Sequence, residues 1–198
     1  MLVFATLGPA GSNHQLVTQN YIDFHRLPAR VELVLDFDDA LDMLLTGEAH
    51  HIVQVAVHPA TASTTAKHYR HVFVIDAFVS PSRPLGVLTR IGVDQPLSLG
   101  LQPATKEYVD TSRWSQLVPE TSIASVAAGL LEGRFDSGIA ALDVAAAHPD
   151  QLRVDEVIGT IDDAWLVYGR EPISGGEIVA WRDSPAAALY RRELEAQG

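Results

Sequence analysis

The sequence contains no cysteine among its 198 residues. This absence excludes disulfides, thiolate nucleophiles and cysteine-ligated metals together. Basic residues are also scarce, because 14 Lys and Arg stand against 25 Asp and Glu and give a formal net charge of −11. Such a surface repels phosphate backbones and anionic lipids, so we expect neither a nucleic-acid partner nor a membrane partner.

Long apolar runs are missing as well. The N-terminal segment carries no basic stretch and only a short apolar run before Gly8 and Pro9. We therefore expect no signal peptide and no membrane helix, and we predict a cytoplasmic protein. Because the surface is acidic, an anionic ligand would have to be held by local hydrogen-bond donors rather than by long-range attraction.

Apolar β-prone segments alternate with helix-like segments, which predicts an α/β fold. LVFATL is a predicted strand that leads into a helix over residues 12–25, and a further helix is predicted over residues 103–112. The Ser- and Pro-rich stretch SPSRPLGVL predicts a crossing between two lobes. DDAWLVYGR is predicted to be a strand that leads back across, and SPAAALYRRELEAQ a C-terminal helix.

The first strand ends in Gly-Pro-Ala-Gly, followed by Ser12, Asn13 and His14 just before the helix. A glycine-rich break lets the backbone approach a ligand, and the first amides of a helix have no internal partner. With the helix dipole they form an anion site, to which Ser12 and Asn13 could add side-chain donors. An ordinary N-cap and turn would use the same residues, and this alternative stays open.

A weaker signal is the repeat of Pro-Ala-Thr after two predicted strands, at Thr61 and Thr105. Ligands bind beyond the carboxyl ends of strands in open α/β sheets, although three shared letters also arise by chance. The run TIDDAW places Asp162 and Asp163 together, either in a solvated turn or with one of them in a cleft as a proton donor. The histidine pairs lack acidic partners at ligand spacing, so no metal site is predicted.

Several of these segments resemble the prephenate dehydratase family. TLGPAGSNHQLVTQNY resembles its opening strand, Gly-Pro-x-Gly turn and helix, and SIASVAAGLLEGRFDSGIAALDVAAAH resembles its later alanine-rich helix and small-residue strand. The resemblance implies a two-lobed, type II periplasmic-binding-protein-like fold with a ligand cleft between the lobes. Residues 1–82 plus 165–198 would form the first lobe and residues 83–164 the second. Gly8, Gly11, Ser12 and Asn13 would line the cleft.

The chain departs from that family on the returning strand. The dehydratases carry Thr-Arg-Phe where this sequence has Asp163, Ala164 and Trp165. Loss of water needs a proton donor for the departing hydroxyl, and removing such a donor slows the step by about 10²–10⁴-fold. The related prephenate decarboxylases of antibiotic biosynthesis also lack Thr-Arg-Phe, and Trp165 looks like the tryptophan they carry.

The resemblance therefore favours a prephenate decarboxylase-like lyase that uses no cofactor and acts on prephenate or a similar small dicarboxylate. Gly11, Ser12 and Asn13 would anchor one carboxylate, and Thr105 would hold the other end of the substrate from the second lobe.

Trp165 would exclude water, and Asp163 or His14 would donate the proton. Trp165 could instead be a core residue, and Thr105 a helix cap.

Two further functions stay open: a prephenate dehydratase with a displaced acid, and a non-catalytic protein that binds a small carboxylate. The substrate would in each case be a small anion. A homodimer is also left open, because the fold family often pairs.

Overall fold

A computed structural model describes residues 1–181 and 184–195 of the chain. Within these residues, the strands form two five-stranded sheets, with helices packed against them. The strands are β1 (Leu2–Leu7), β2 (Ala29–Val34), β3 (His51–Val55), β4 (Phe73–Pro81), β5 (Leu85–Arg90), β6 (Ser98–Leu101), β7 (Gln116–Pro119), β8 (Ser137–Ala141), β9 (Leu152–Gly159) and β10 (Asp162–Gly169). The helices are α1 (Asn13–Phe24), α2 (Phe37–Thr46), α3 (Thr61–Lys67), α4 (Ile123–Leu131), α5 (Leu142–Ala147) and α6 (Pro185–Glu195).

The first sheet has the strand order β2-β1-β3-β10-β4. Strands β1, β2 and β3 run parallel, whereas β10 pairs antiparallel with both β3 and β4. Helix α2 covers one face through Leu41 and Leu44, and α1 covers the other through Val17 and Ile22. Trp165 is fully buried on the α1 side.

The second sheet has the order β7-β6-β8-β5-β9. Helix α4 packs on one face through Val126 and Leu130, which contact Phe135 in a shared apolar cluster. Trp114 closes the other face against Leu99 and neighbouring residues. The chain thus builds two separate cores, each around its own sheet, as the alternating sequence pattern predicts.

The chain crosses between the sheets twice, at residues 82–84 and again at residues 160–161. The two crossings are hydrogen-bonded to each other, because the Ser82 amide donates to the Ile161 carbonyl at 2.8 Å and the Ile161 amide donates to Ser82 Oγ at 3.0 Å. Strand β10 begins at Asp162 and pairs with β4, so residues 162–164 lie in the first sheet, whereas the sequence assigned them to the second lobe.

The helix predicted over residues 103–112 is present only in part, because it is of the 3-10 type and is interrupted. The segment forms two 3-10 turns, Pro103–Tyr108 and Thr111–Arg113, separated by an extended Val109. Asp110 starts the second turn by accepting a hydrogen bond from the Ser112 amide, and such local side-chain bonds compete with a continuous helix.

The predicted C-terminal helix is present as α6, although its predicted last residues, 196–197, lie outside the described part of the chain. Among the described residues, no helix combines the length and the apolar character needed to span a bilayer.

Candidate functional site

The two lobes enclose a cavity of about 340 Å³, which we call the cleft. In the first lobe its walls come from the loop after β1, the start of α1, the end of β3 and the start of β10. In the second lobe they come from the start of β5, the turn after β6, the start of α4, the end of β8 and α5, and the crossing at 82–84 lies between the two. Apart from Thr61, the candidate residues from the sequence line this one cavity: Gly8, Gly11, Ser12, Asn13, His14, Thr105, Asp163 and Trp165. A cavity of this size is typical of a small-molecule site.

The loop after β1 is held in place by Ser12, the N-cap of α1. Ser12 Oγ donates to the Leu7 carbonyl at 3.0 Å and accepts from the Gln15 amide at 3.2 Å. The hydroxyl is therefore already engaged, and the expectation that it adds a donor for the ligand is not met. Gly11 precedes it at φ +80°, a left-handed conformation that favours glycine.

The donors that this turn offers to a ligand are backbone amides. The Gly11 amide donates to Gln15 Oε1, and the Gln15 amide is taken by Ser12. Asn13 and His14 stand at the first two positions of α1, where an amide has no acceptor within the helix. Both residues line the cleft, so the positive end of the α1 dipole faces it.

The second lobe also presents a capped helix N-terminus to the cleft. Ser122 caps α4 in a reciprocal capping box, in which Ser122 Oγ accepts from the Ser125 amide and Ser125 Oγ accepts from the Ser122 amide. The next two residues, Ile123 and Ala124, hold the first helical positions and line the cleft. Two helix N-termini, one from each lobe, therefore face the same cavity.

Thr105 lies in the cleft wall but is less available than expected. Its hydroxyl donates to the Gln102 carbonyl at 2.9 Å, and the adjacent Ala104 amide donates to Gln102 Oε1 at 2.7 Å. The geometry thus favours Ile123 and Ala124 over Thr105 as the anion anchors of the second lobe. Thr61, which repeats the same sequence signal, does not line the cleft and donates to the Val55 carbonyl.

His14 belongs to an aromatic cluster at the base of the cleft. Its ring meets Trp165 edge to face, with 5.1 Å between centroids, and lies 6.0 Å from the ring of His58. Burial, followed by the nearby His58, lowers the pKa of His14 to about 3. A histidine in this state is neutral near pH 7, which disfavours it as a general acid.

Asp163 fits the role of proton donor better. It is two positions from Trp165 on β10, so both side chains point to the same side of the strand and reach the cleft, whereas Asp162 is exposed. Burial, and then the charge of Asp162, raise the pKa of Asp163. Tyr108 also lines the cleft, and its pKa is raised by burial and by the charge of Asp163.

Arg83 was not predicted from the sequence as a site residue. It is the one Lys or Arg among the described residues that line the cleft. Its guanidinium donates from Nη1 to the Gly11 carbonyl at 3.1 Å, and its Nη2 lies 3.4 Å from Asp143 Oδ2. The only sequence signal was its place in the Pro-rich crossing.

Within residues 1–181 and 184–195, no three His, Asp or Glu side chains are grouped so that they could hold a metal ion.

No protein-family model matches the sequence, and no curated protein matches it. Solved structures do match. A prephenate dehydratase from Arthrobacter aurescens, solved in complex with L-Phe, superposes with a TM-score of 0.62 at 20% identity, covering 99% of this chain and 72% of that one. The fold is that of a two-lobed, periplasmic-binding-protein-like α/β protein.

Two other matches share this architecture. GqqA, described as a novel type of quorum quenching acylase, matches with a TM-score of 0.55 at 13% identity over 87% of this chain and 65% of its own. An ABC transporter protein from Parabacteroides distasonis matches with a TM-score of 0.54 at 14% identity over 100% of this chain and 70% of its own. The expected fold class is thereby confirmed, and identities this low carry the fold alone.

Proposed function

We propose that this chain is a lyase that removes carbon dioxide from prephenate, or from a similar small dicarboxylate, without making the ring aromatic. The observation that carries the proposal is the pair of helix N-termini, at Asn13 and Ile123, that face one cavity from opposite lobes. Each offers backbone amides to an anion, so the cleft suits a ligand with a negative group at each end. Prephenate carries one carboxylate on its ring and one on its side chain.

The rest of the cleft supports decarboxylation over dehydration. Apolar side chains, among them Leu7, Val55 and Trp165, line the wall beside the amides. A ring carboxylate packed against such a wall would lose hydration that one or two helix amides replace only in part, which destabilises it relative to a transition state in which its charge moves away. Thr-Arg-Phe, which the resemblance associates with loss of the hydroxyl, is absent from β10.

In the proposed reaction, the bond between the ring carbon and its carboxylate breaks and carbon dioxide leaves. The electron pair spreads into the two ring double bonds and takes up one proton at a ring carbon, while the hydroxyl stays in place. Asp163, whose pKa is raised by burial and by the charge of Asp162, would deliver that proton from β10 and be reprotonated by water. Asn13 and His14 would hold one carboxylate through their amides, and Trp165 would keep water away.

A second candidate is a non-catalytic protein that closes on a small carboxylate. The likeness to a transporter protein supports it, as does the lowered pKa of His14, which removes one of the two proton donors expected from the sequence. A dehydratase with a displaced acid is the third reading.

One assay separates these functions. The pure protein is incubated with prephenate while carbon dioxide and ultraviolet absorbance are followed together. The proposal predicts carbon dioxide without formation of an aromatic keto acid. Carbon dioxide with that product identifies a dehydratase, and saturable binding with neither identifies a binding protein. Absence of both turnover and binding excludes prephenate as the ligand and contradicts the dehydratase and the prephenate decarboxylase.

A further inference from the structure

We propose that Arg83 recognises a carboxylate of the ligand and that Asp143 competes with that carboxylate for the guanidinium. The inference rests on the proposed function in one respect, namely that the cleft takes a small carboxylate. Arg83 would be a specificity-determining residue, whereas Asp143 would set the affinity from outside the cavity.

The position of Arg83 suits this role. It lies on the crossing at residues 82–84, between the two sheets, and lines the cleft. Its backbone amide donates to Asn13 Oδ1 at 3.2 Å, which ties the crossing to the first turn of α1. The same residue therefore touches the amide site of the first lobe and the first turn of α5 in the second.

The guanidinium has donors left for a ligand. Arg83 Nη1 donates to the Gly11 carbonyl and Nη2 lies beside Asp143, whereas Nε donates to no described residue. A guanidinium carries five donors in a planar fork that matches a carboxylate, so it can bind one without releasing Gly11.

The ion pair between Arg83 and Asp143 can be broken at little cost in free energy. The Asp143 side chain is 60% exposed and that of Arg83 is 35% exposed. Solvent-exposed ion pairs contribute little stability, so a carboxylate inside the cleft can displace Asp143 from the guanidinium. In a chain of net charge −11, a local cation is also what an anionic ligand needs.

The test measures the dissociation constant of prephenate by calorimetry for Arg83→Gln, Arg83→Lys and Asp143→Asn. We expect Arg83→Gln to weaken binding by roughly 10–100-fold, since charge-assisted hydrogen bonds are lost. The dissociation constant of Arg83→Lys should lie between those of the wild-type chain and Arg83→Gln, because an ammonium keeps the charge but lacks the planar fork. Asp143→Asn should tighten binding by roughly two- to fivefold, because the competitor is gone.

The matched control is the Arg113–Glu156 ion pair, which joins two elements of the second lobe at similar exposure and does not line the cleft. Arg113→Gln and Glu156→Gln should leave the dissociation constant unchanged. If Asp143→Asn weakens binding as much as Arg83→Gln does, the pair is a structural clamp and the proposal is overturned. Unchanged binding in Arg83→Gln overturns it as well. Thermal unfolding of each variant checks the fold, and Arg83→Lys keeps the test decisive if Arg83→Gln fails to fold.

Failure of the proposed function is distinguishable from failure of this inference. If the wild-type chain does not bind prephenate, the same variants are titrated with succinate, phenylpyruvate and phenylsuccinate. The same opposite effects of Arg83→Gln and Asp143→Asn on one of these acids would support Arg83 and refute prephenate as the ligand. Binding of none of the four acids would overturn both.

Discussion

The imidazole of His14 meets the indole of Trp165 edge to face, 5.1 Å between ring centroids, at the base of the cleft. His14 Nε2 is buried and accepts or donates no hydrogen bond within the described structure. The contact joins the first turn of α1 to β10, so one aromatic pair fixes two walls of the site. It also keeps a titratable group in a setting that disfavours its charged form.

This burial makes stability depend on pH. The pKa of His14 is lowered from 6.5 to about 3 in the folded chain, so the unfolded chain binds the proton more tightly. The contribution of His14 to the free energy of unfolding is therefore constant above pH 6.5. It falls progressively as the pH drops from 6.5 towards 3. At pH 4.5 the loss from this group is about 2–3 kcal/mol.

Urea unfolding at several pH values measures the effect. His14→Phe, which keeps an aromatic ring beside Trp165, should flatten the loss between pH 6.5 and 4.5. His71→Gln, which replaces an exposed histidine, should leave the loss of stability over this range unchanged. Equal slopes for His14→Phe and the wild-type chain would show that His14 is not held neutral by the fold.

Ser12→Ala tests the cap that positions the amide site. Loss of an N-cap hydroxyl costs about 1 kcal/mol, so the fold should survive while prephenate binds several-fold more weakly. Asp36→Ala is the matched control, because Asp36 caps α2 through the same kind of bond at 2.9 Å, and no residue of α2 lines the cleft. It should lose similar stability and keep its affinity. Equal affinities for Ser12→Ala and the wild-type chain would remove this turn from the site.

Proline at the first helical position tests the amides themselves. Ser12 and Ser122 both have extended backbones, with ψ of 159° and 162°, which suits a residue that precedes proline. Asn13→Pro and Ile123→Pro should therefore leave α1 and α4 intact while each removes one amide donor. Each is compared with its alanine variant, which loses the side chain but keeps the amide.

We expect each proline variant to bind prephenate roughly 5–10-fold more weakly than its alanine counterpart, as measured by calorimetry. Circular dichroism checks that helix content is kept. Proline and alanine variants of equal affinity, at both positions, would refute backbone anchoring of the ligand.

Asp163→Asn tests the proton donor. If Asp163 supplies the proton, kcat should fall by about 10²–10⁴-fold with a smaller change in KM. Because the pKa of Asp163 is raised, the wild-type chain keeps its acid at higher pH than an ordinary carboxyl does, and kcat should fall as the pH rises through that pKa. Asp162→Asn should retain activity. The fall in kcat should move to lower pH in this variant, since the charge of Asp162 helps to raise the pKa of Asp163. Full activity of Asp163→Asn would assign the proton to another group.

The local features of the site could be predicted from the sequence. The apolar run before Gly8 and the polar residues after Gly11 indicate a strand, a turn and a capped helix, and these signals lie within a few residues of each other. The expectation that Ser12 donates to a ligand failed because its hydroxyl donates to the Leu7 carbonyl at the end of β1, a contact that the cap pattern alone does not show.

Features that depend on the approach of distant segments could not be predicted. Ile123 and Ala124 face the cleft only because α4 packs on the second sheet, and their amides look like those of any helix start. The orientation of Asp163 was open because strand side chains alternate, so an uncertainty of one position exchanges it with Asp162. Arg83 contacts Gly11 and Asp143, which are far from it in the sequence, so its place at the cleft could not be predicted.

The most direct test of the central claim is a crystal structure of the chain soaked with prephenate or a non-reactive dicarboxylate analogue. The account predicts one carboxylate within hydrogen-bond distance of the Asn13 and His14 amides, the other near the amides of Ile123 and Ala124, and the ring against Trp165. A ligand bound elsewhere, or a cleft that stays unoccupied at saturating concentration, would contradict it.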